Sequence, residues 1–412
     1  MPAKRGSTSR SQVMKRNSRA LITAAIRKRG PMSRVQLAMA TDISRTHVSE
    51  VVDGLIADGT LVEMGSVSSR PGRPMVLLRI NPDGPGAAGV WLSENEIQVC
   101  IAAADGEIMT RDTIDYETCN DNPAHAVAAI AESVRRCAAR MNRRVDSLSG
   151  VGVTVAGVVD PLLGVISHTT HEPCFAGVPI AKMLCDELGL PVYAESDIRA
   201  SALVHNWHAE VVDKALYVWF MDGVGSAFVS GHQLFGAEHG LAPTVGHIIM
   251  SPEGPLCHCG RKGCLETYTS TYAFIRRIWP DLDPYRMSSH ARHTQASRGL
   301  DLVAQGDTKA ASALAETTRY MGWGIANAIS ILDPQVVHVG GLLVDYLPDM
   351  VMDLVRREVM KHIREVFRGV EIRLLPTISE FALRGAVGLV LLRPYTVLQE
   401  INSRMLQLNA AS

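Results

Sequence analysis

The sequence predicts an α/β protein in two parts: a small N-terminal winged helix-turn-helix, and a larger body in which strands alternate with helices. With 412 residues the chain exceeds one core, so two or three domains are expected. The cluster Asn81-Pro-Asp-Gly-Pro-Gly86 breaks regular structure between two stretches of different pattern. The charge changes there as well: residues 1–80 carry 14 Lys/Arg against 5 Asp/Glu, net +9, and the remainder carries 27 against 37, net −10. A basic segment joined to an acidic body indicates a nucleic-acid-binding part on a domain with another task.

Composition argues against a membrane or secreted protein. No apolar run is long enough to span a bilayer, and the basic first ten residues have no apolar core behind them. Three of the eight cysteines fall in one motif, whereas the other five are scattered and odd in number, as is usual for reduced thiols. We therefore expect a cytoplasmic protein without membrane insertion.

Three helices are expected in the basic segment, after a mobile basic tail over residues 1–16. The first helix begins at Ser18, and Gly30-Pro31 ends it. Ser33 opens the second helix with a capping box to Gln36, and Ser44 caps the third. The tight turn between the second and third helices is typical of a helix-turn-helix.

The third helix is the predicted recognition helix. Its first turns offer four side chains to base edges in the major groove of double-stranded DNA: Arg45, Thr46, His47 and Ser49. The alternative is a small helical bundle that contacts another protein.

A β-hairpin after the recognition helix completes a winged helix. Residues 60–64 and 75–80 form its predicted strands, and the loop between them carries Arg70 and Arg73 around Pro71-Gly72. This compact cationic group suits a minor groove. Alone, the segment could be an ordinary flexible loop; after a helix-turn-helix, DNA contact is favoured.

Beyond residue 87 the pattern is that of an α/β domain. Strands are predicted at 88–91, 97–103, 150–155, 192–195, 216–220, 227–230 and 336–339, and helices at 123–140, 180–188, 308–332 and 381–392. The last helix is rich in small residues, which favours close packing.

One short stretch predicts a metal site. Cys257, Cys259 and Cys264 lie within eight positions, and His247 precedes them. Three cysteines and one histidine are a standard ligand set for structural Zn²⁺, with no position left open for a reacting water. The alternative is a loop with ordinary thiols, but the third cysteine and the histidine favour zinc.

These motifs resemble the ROK family, and most closely its Mlc/NagC-type sugar-responsive repressors, which carry a winged helix before a sugar-kinase-like body. The family's Gly-His and Cys-x-Cys-Gly-x-x-Gly-Cys-x-Glu signature spans Gly246–Glu266. The resemblance covers nearly the whole chain beyond the tail and implies a two-lobed, actin-like (ASKHA) α/β body with the ligand in the cleft. The chain then divides into a winged helix-turn-helix (17–80), a linker (81–87) and a first lobe (88–200). A second lobe with the zinc loop (201–380) follows, and a C-terminal segment (381–412) returns to the first lobe.

The resemblance also implies a sugar site. Asp197 matches the family's catalytic carboxylate, which here would hydrogen-bond a sugar hydroxyl; the alternative is a carboxylate that only begins a helix. Glu266 matches a sugar-contacting carboxylate, and His247 would bind zinc through one ring nitrogen and face the ligand with the other. Thr244 stands where the family has Glu, and Thr170-His171 aligns only loosely with the family's sugar loop. An unusual sugar or a sugar phosphate is therefore expected, or weak binding of free sugar.

Two departures from the family argue against a kinase. Its phosphate-binding loops are rich in Gly and Thr, because backbone N–H groups must meet the phosphate charge. The first falls at Trp91–Glu96, which has two carboxylates and no glycine, and the second at Phe220-Met-Asp222. We therefore expect a chain that is not an enzyme.

The favoured function is a DNA-binding transcriptional regulator, a repressor of genes for carbohydrate uptake or metabolism. A sugar, a sugar phosphate or a protein of the sugar-transport phosphotransferase system would control it. It would bind a palindromic operator as a homo-oligomer, either a dimer or a dimer of dimers. The alternative is an ATP-dependent ROK sugar kinase with an accessory DNA-binding domain.

Overall fold

A computed structural model describes residues 10–67, 75–93, 96–115, 122–169, 173–208, 213–231, 233–236 and 243–393. The predicted Arg70, Arg73 and Thr170-His171, and the tail beyond residue 393, lie outside these ranges. In the described part of the chain, no helix is long and apolar enough to cross a membrane.

The N-terminal part has the element order of a winged helix. Its elements are α1 (Arg10–Arg29), β1 (Met32–Ser33), α2 (Arg34–Thr41), α3 (Arg45–Ala57), β2 (Leu61–Val67) and β3 (Met75–Ile80). The strands form an antiparallel sheet in the order β1-β3-β2. The capping box predicted at Ser33 and Gln36 is present, and Ser44 caps α3 through the His47 amide. Ile22, Leu37, Val52 and Leu78 join the helices and the sheet in one buried core.

The first helix is longer than expected, since α1 begins at Arg10 and takes in residues 10–16, which were expected in a mobile tail. These residues show no apolar stripe in the sequence, but Arg, Gln, Met and Lys are good helix formers and favour a longer helix.

The first half of the body is a five-stranded sheet. Its strands are β4 (Ala87–Leu92), β5 (Glu96–Ala102), β6 (Ile108–Asp115), β7 (Val151–Val155) and β10 (Val192–Ser196), in the order β10-β7-β4-β5-β6. Helices α4 (Pro123–Arg140) and α5 (Ile180–Leu188) cover one face. A hairpin of β8 (Gly157–Asp160) and β9 (Val165–Thr169) stands beside it.

The second half is also a five-stranded sheet, in the order β13-β12-β11-β14-β15. The strands are β11 (Lys214–Phe220), β12 (Val224–Ser230), β13 (Gln233–Leu234), β14 (Val336–Gly341) and β15 (Glu371–Leu374). The helices of this half are α7 (Glu266–Thr269), α8 (Thr271–Ile278), α9 (Ser289–Ala304), α10 (Thr308–Leu332), α11 (Leu342–Tyr346) and α12 (Pro348–His362).

Two further helices, α6 (Asp197–His208) and α13 (Ile378–Leu391), lie between the two sheets. Helix α13 packs on β4 and β7 so closely that a Cβ on Gly152 would overlap the Ala386 carbonyl oxygen. Helix α6 packs on β11 and β12 of the other sheet. The fold is thus the expected two-lobed α/β body, with its two inner helices shared between the lobes.

Candidate functional site

A cleft of about 590 Å³ lies between the two sheets and is lined from both halves. Trp91 and Gln98 come from the first sheet, whereas Gly223 and His247 come from the second half. The predicted ligand residues Asp197, Thr244, His247 and Glu266 all line this cleft, so the structure brings the predicted ligand set together.

Asp197 is held at the first turn of α6. Its Oδ1 accepts a hydrogen bond from the Ile198 amide at 2.7 Å, and Trp91 Nε1 donates to Oδ2 at 3.4 Å. This carboxylate begins a helix, where the helix dipole favours negative charge, and it also faces the cleft, so its predicted hydrogen bond to a sugar hydroxyl stays a prediction.

A buried ion pair that the sequence interpretation missed supports this turn. Glu195 Oε1 lies 3.2 Å from Arg199 Nε, and both side chains are less than a tenth exposed. Burial raises the pKa of Glu195, although Arg199 and the Ser196 amide oppose this. The pair holds the end of β10 against the start of α6. Glu-x-x-x-Arg at helical spacing is the signal that could have revealed it.

Glu266 is the most enclosed of the predicted ligands. Its Oε2 accepts from the Val224 amide at 2.8 Å, and its Oε1 lies 2.8 Å from His258 Nδ1. Burial by itself raises the pKa of Glu266, but His258, the Val224 amide and His247 together lower it. The carboxylate is therefore held charged. His258 was passed over in the sequence, although its place between Cys257 and Cys259 pointed to it.

Thr244 is exposed in the cleft and offers a hydroxyl where the family has a carboxylate. That position can donate to a ligand oxygen as well as accept from a hydroxyl.

The predicted metal ligands converge. One ligand atom from each of His247, Cys257, Cys259 and Cys264 lies within 4.8 Å of the others. The Sγ atoms of Cys259 and Cys264 are 3.6 Å apart, and Cys257 Sγ lies 3.7 Å from His247 Nδ1. A tetrahedral site with metal–sulfur bonds of about 2.3 Å has sulfur atoms roughly 3.8 Å apart, so these four residues fit a bound metal ion.

Close backbone contacts shape the segment that holds the four candidate metal ligands, residues 247–264, here called the metal loop. Gly263 has a φ of +67°, and a side chain there would overlap the Ser251 carbonyl oxygen. A Cβ on Gly246 would lie 2.5 Å from the Val224 carbonyl oxygen, which brings His247 against the start of β12.

A second group, His247, His258 and Glu266, also has ligand atoms within 4.8 Å. It shares His247 with the first group. The thiol-rich group matches a closed tetrahedral site better, since His258 is already bonded to Glu266.

Ser93 and Glu96 flank the segment between β4 and β5 that the resemblance aligns with the family's first phosphate-binding loop. The Ser93 amide and hydroxyl both donate to the Glu96 carbonyl oxygen, at 3.1 and 2.7 Å. The Glu96 side chain lines the cleft and accepts from Gln98 at 2.6 Å. A carboxylate therefore faces the cleft beside this segment.

The segment Phe220-Met-Asp222, which the resemblance aligns with the family's second phosphate-binding loop, carries a buried ion pair. Arg292 Nε lies 2.6 Å from Asp222 Oδ2, with side-chain exposures of 6% and 0%. The Arg292 guanidinium also lies over the Tyr272 ring, 4.6 Å from its centroid, and donates to the Met287 carbonyl oxygen. Asp222 thus places a negative charge where the family has small residues, and its cation comes from α9.

The structure separates the predicted DNA-contact residues into two groups. Arg45 and Thr46 are exposed at the start of α3. Ser49 is half-buried, and its hydroxyl donates to the Arg45 carbonyl oxygen at 3.1 Å.

His47 does not match the expected exposed position. Its ring is half-buried, with Nε2 3.1 Å from Ser18 Oγ and Nδ1 3.7 Å from Glu50 Oε2. The reason is that α1 lies across this turn of α3, a contact that helical spacing alone does not reveal.

Comparisons with known proteins agree with this fold. The model of the ROK family matches residues 87–393. The xylose repressor of Caldicellulosiruptor bescii is 24% identical over 80% of this chain and 84% of its own length. Among solved structures, a ROK family transcriptional regulator that is a homologue of Escherichia coli Mlc gives a TM-score of 0.77 at 20% identity, covering 93% of this chain and 98% of that one. A ROK hexokinase from Thermus thermophilus gives 0.62 at 24%, covering 76% and 99%. Since a regulator and a kinase share this fold, the fold does not choose between them.

The Asp222–Arg292 pair gives a testable stability prediction. Arg292→Met should lower the free energy of unfolding by about 3–5 kcal/mol, because it leaves a carboxylate buried without its main cation. Asp222→Asn combined with Arg292→Met should recover most of that loss. Lys182→Met removes a cation from an exposed pair (71% and 64% exposed) and should change stability by about 0.5 kcal/mol or less. Denaturant titration followed by circular dichroism measures all three; equal midpoints for Arg292→Met and Lys182→Met would contradict the assignment.

Proposed function

Since this chain belongs to the ROK family, we propose that it is a sugar-responsive transcriptional repressor whose kinase-like body senses a carbohydrate and does not phosphorylate it. One observation carries the proposal. The same chain carries a winged helix, on which Arg45 and Thr46 are exposed, and a cleft lined by Asp197 and Glu266. Of the two segments that resemble phosphate-binding loops, one directs Glu96 into the cleft and the other holds Asp222 buried against Arg292.

The DNA-binding part is supported by charge and exposure. The net +9 of residues 1–80 attracts phosphates, while α3 presents Arg45 to base edges. One winged helix buries a small interface, so a homodimer on a palindromic operator is the expected assembly. Such a DNA-binding protein would be located in the cytoplasm.

The charge of the cleft favours an uncharged sugar. Among the described residues lining it, Arg199 is the one Lys or Arg, and it is bound to Glu195. Four carboxylates share the lining: Glu96, Asp197, Glu266 and Asp345. Carboxylates accept hydrogen bonds from hydroxyls but repel a phosphate ester. A sugar without phosphate therefore fits this site better than the sugar phosphate that the sequence left open.

A kinase is the second candidate, supported by the likeness to a ROK hexokinase. Phosphoryl transfer needs close N–H donors and cations around the phosphates. Glu96 and the neutralised Asp222 supply neither. We therefore expect no ADP release when sugars and ATP are mixed with the protein. Sequestration by a phosphotransferase-system protein stays an expectation from the family resemblance.

We further propose Zn²⁺ as the ion held by His247, Cys257, Cys259 and Cys264. Three thiolates and one imidazole are typical of structural zinc, and all four ligands are protein groups. With Nδ1 toward the metal, the other nitrogen of His247 lies on the opposite side of the ring, where it can meet a ligand in the cleft.

The zinc site is tested by metal content. Protein purified under reducing conditions should hold about one zinc per chain, and Cys257→Ala or Cys259→Ala should lose it and with it sugar binding. Cys185→Ala, an exposed cysteine outside the cluster, should keep both. Mass spectrometric metal analysis decides this; wild-type protein with no bound metal would refute the proposal.

The DNA interface is tested at Arg45. The full chain first selects a binding sequence from randomised duplexes. Arg45→Ala should then weaken binding by about 1–3 kcal/mol and relax preference at one base position. Arg368→Ala makes the same charge change at an exposed position of the body and should have no effect. Fluorescence anisotropy gives the affinities; unchanged affinity and preference in Arg45→Ala would contradict the role of α3.

The sugar cleft is tested by paired ligands. In thermal-shift and calorimetric assays, an unphosphorylated pentose or hexose such as D-xylose or D-glucose should bind, and its phosphate ester should bind at least about tenfold more weakly. Asp197→Asn should reduce sugar affinity by roughly ten- to a hundredfold, whereas Asp186→Asn on the exposed face of α5 should not. Tighter binding of the phosphate ester would overturn this choice of ligand.

A further inference from the structure

The two inner helices α6 and α13, here called the coupling pair, both begin in the wall of the cleft. Asp197 and Ser201 of α6 line it, and so do Ser379, Phe381 and Ala382 of α13. A ligand that fills the cleft would therefore contact the first turns of both helices.

The coupling pair is packed at very short range. A Cβ on Gly385 would lie 2.8 Å from the Ser201 amide nitrogen, and a Cβ on Gly388 would overlap the Val204 side chain. Protein interiors packed this closely do not deform continuously, so the two helices should move as one body.

The far end of the coupling pair lies against the DNA-binding part. Val204 and Trp207 near the end of α6 and Leu392 just after α13 form a buried cluster with Ala24 of α1. Trp207 is 2% exposed and Ala24 is 5% exposed. Beside them, Lys28 Nζ lies 5.9 Å from the Trp207 ring centroid, and Arg27 donates a hydrogen bond to the Ala104 carbonyl oxygen.

Helix α1 is in turn tied to the recognition helix. Ile22 and Ile26 share the buried core of α3, Ser18 contacts His47, and Arg19 pairs with Asp58 at the end of α3. A shift of α1 therefore moves α3.

We propose that the coupling pair transmits ligand binding to DNA binding, with Trp207 and Ala24 as the positioning contact. The route runs from Asp197 along α6, about 18 Å for its 12 residues, to α1 and α3. The inference rests on the proposed function. By linkage, operator DNA must then change sugar affinity by the same factor by which sugar changes operator affinity.

The test uses the full chain, the duplex it selects, and the sugar that binds it. Ala24→Glu places a charge in the contact with Trp207, so that α1 should no longer dock. Thr23→Glu is the matched control: it adds the same charge one position away, at a side chain that bonds back to Arg19 and Ala20 of its own helix. On the body side of the contact, Trp207→Ala should abolish the effect of sugar on operator affinity, as Ala24→Glu does. Trp207→Phe should retain most of that effect.

Two readouts decide the outcome. In the wild type and in Thr23→Glu, sugar should change operator affinity by a factor in the range of about 5–150. In Ala24→Glu this factor should fall to about one, while sugar affinity without DNA stays unchanged. The second readout is amide hydrogen exchange, which is measured with and without operator DNA and without sugar. Operator binding should alter the exchange rates of residues 197–201 and 378–382 in the wild type but not in Ala24→Glu.

The two levels of the proposal fail in different ways. If the chain selects no DNA sequence, or no sugar alters operator affinity in the wild type, the proposed function fails and the coupling pair with it. If sugar acts on operator binding in Ala24→Glu as strongly as in the wild type, the function stands and the coupling pair is wrong. Thermal denaturation of each variant identifies any that does not fold, and the remaining contact variant then carries the test.

Discussion

The buried charge of Glu266 is the constraint on which the cleft depends. A carboxylate this enclosed is costly unless its lone pairs are met, and each partner comes from a different part of the site. The Val224 amide belongs to the start of β12, and His258 belongs to the metal loop. Meeting one charge therefore fixes the loop, the strand and the ligand wall relative to one another. A metal ion at the neighbouring thiols would hold the same loop from its other side.

A second buried charge, Asp222, lies between two residues that line the cleft, Met221 and Gly223. Asp222 is fully buried, and Arg292 from α9 neutralises it. Such a pair contributes little net stability by itself, but once formed neither member is easily removed. The chain therefore shares its fold with a kinase, while Glu96 faces the cleft and Asp222 is buried beside it. Asp197 and Glu266, by contrast, line the cleft and can accept hydrogen bonds from the hydroxyls of a ligand.

Much of this architecture follows from local sequence pattern. Helices α4, α5 and α10 have the bounds that periodicity predicts, and the capping box at Ser33 is present. The three cysteines of the predicted metal site meet because they lie close together in sequence and Gly263 turns the chain at positive φ, whereas His247 comes from ten positions before Cys257. Helices α6, α8, α9 and α12 were not predicted, although α8 and α12 each bury a regular apolar stripe, through Phe274 and Ile278 in α8 and through Val351, Val355 and Val359 in α12.

The parts that sequence did not reveal are contacts between distant segments. Asp222 could be judged unsuitable for a phosphate loop from its charge alone, yet its partner lies 70 positions further along the chain. His47 stands at a helical position that ought to be exposed, and only the course of α1 shows why it is covered. The same course of α1 brings Ala24 to Trp207, and so joins the DNA-binding part to the cleft. Local sequence pattern therefore predicts the secondary structure of each segment. The contacts that connect the segments depend on long-range packing, which cannot be inferred from a single sequence.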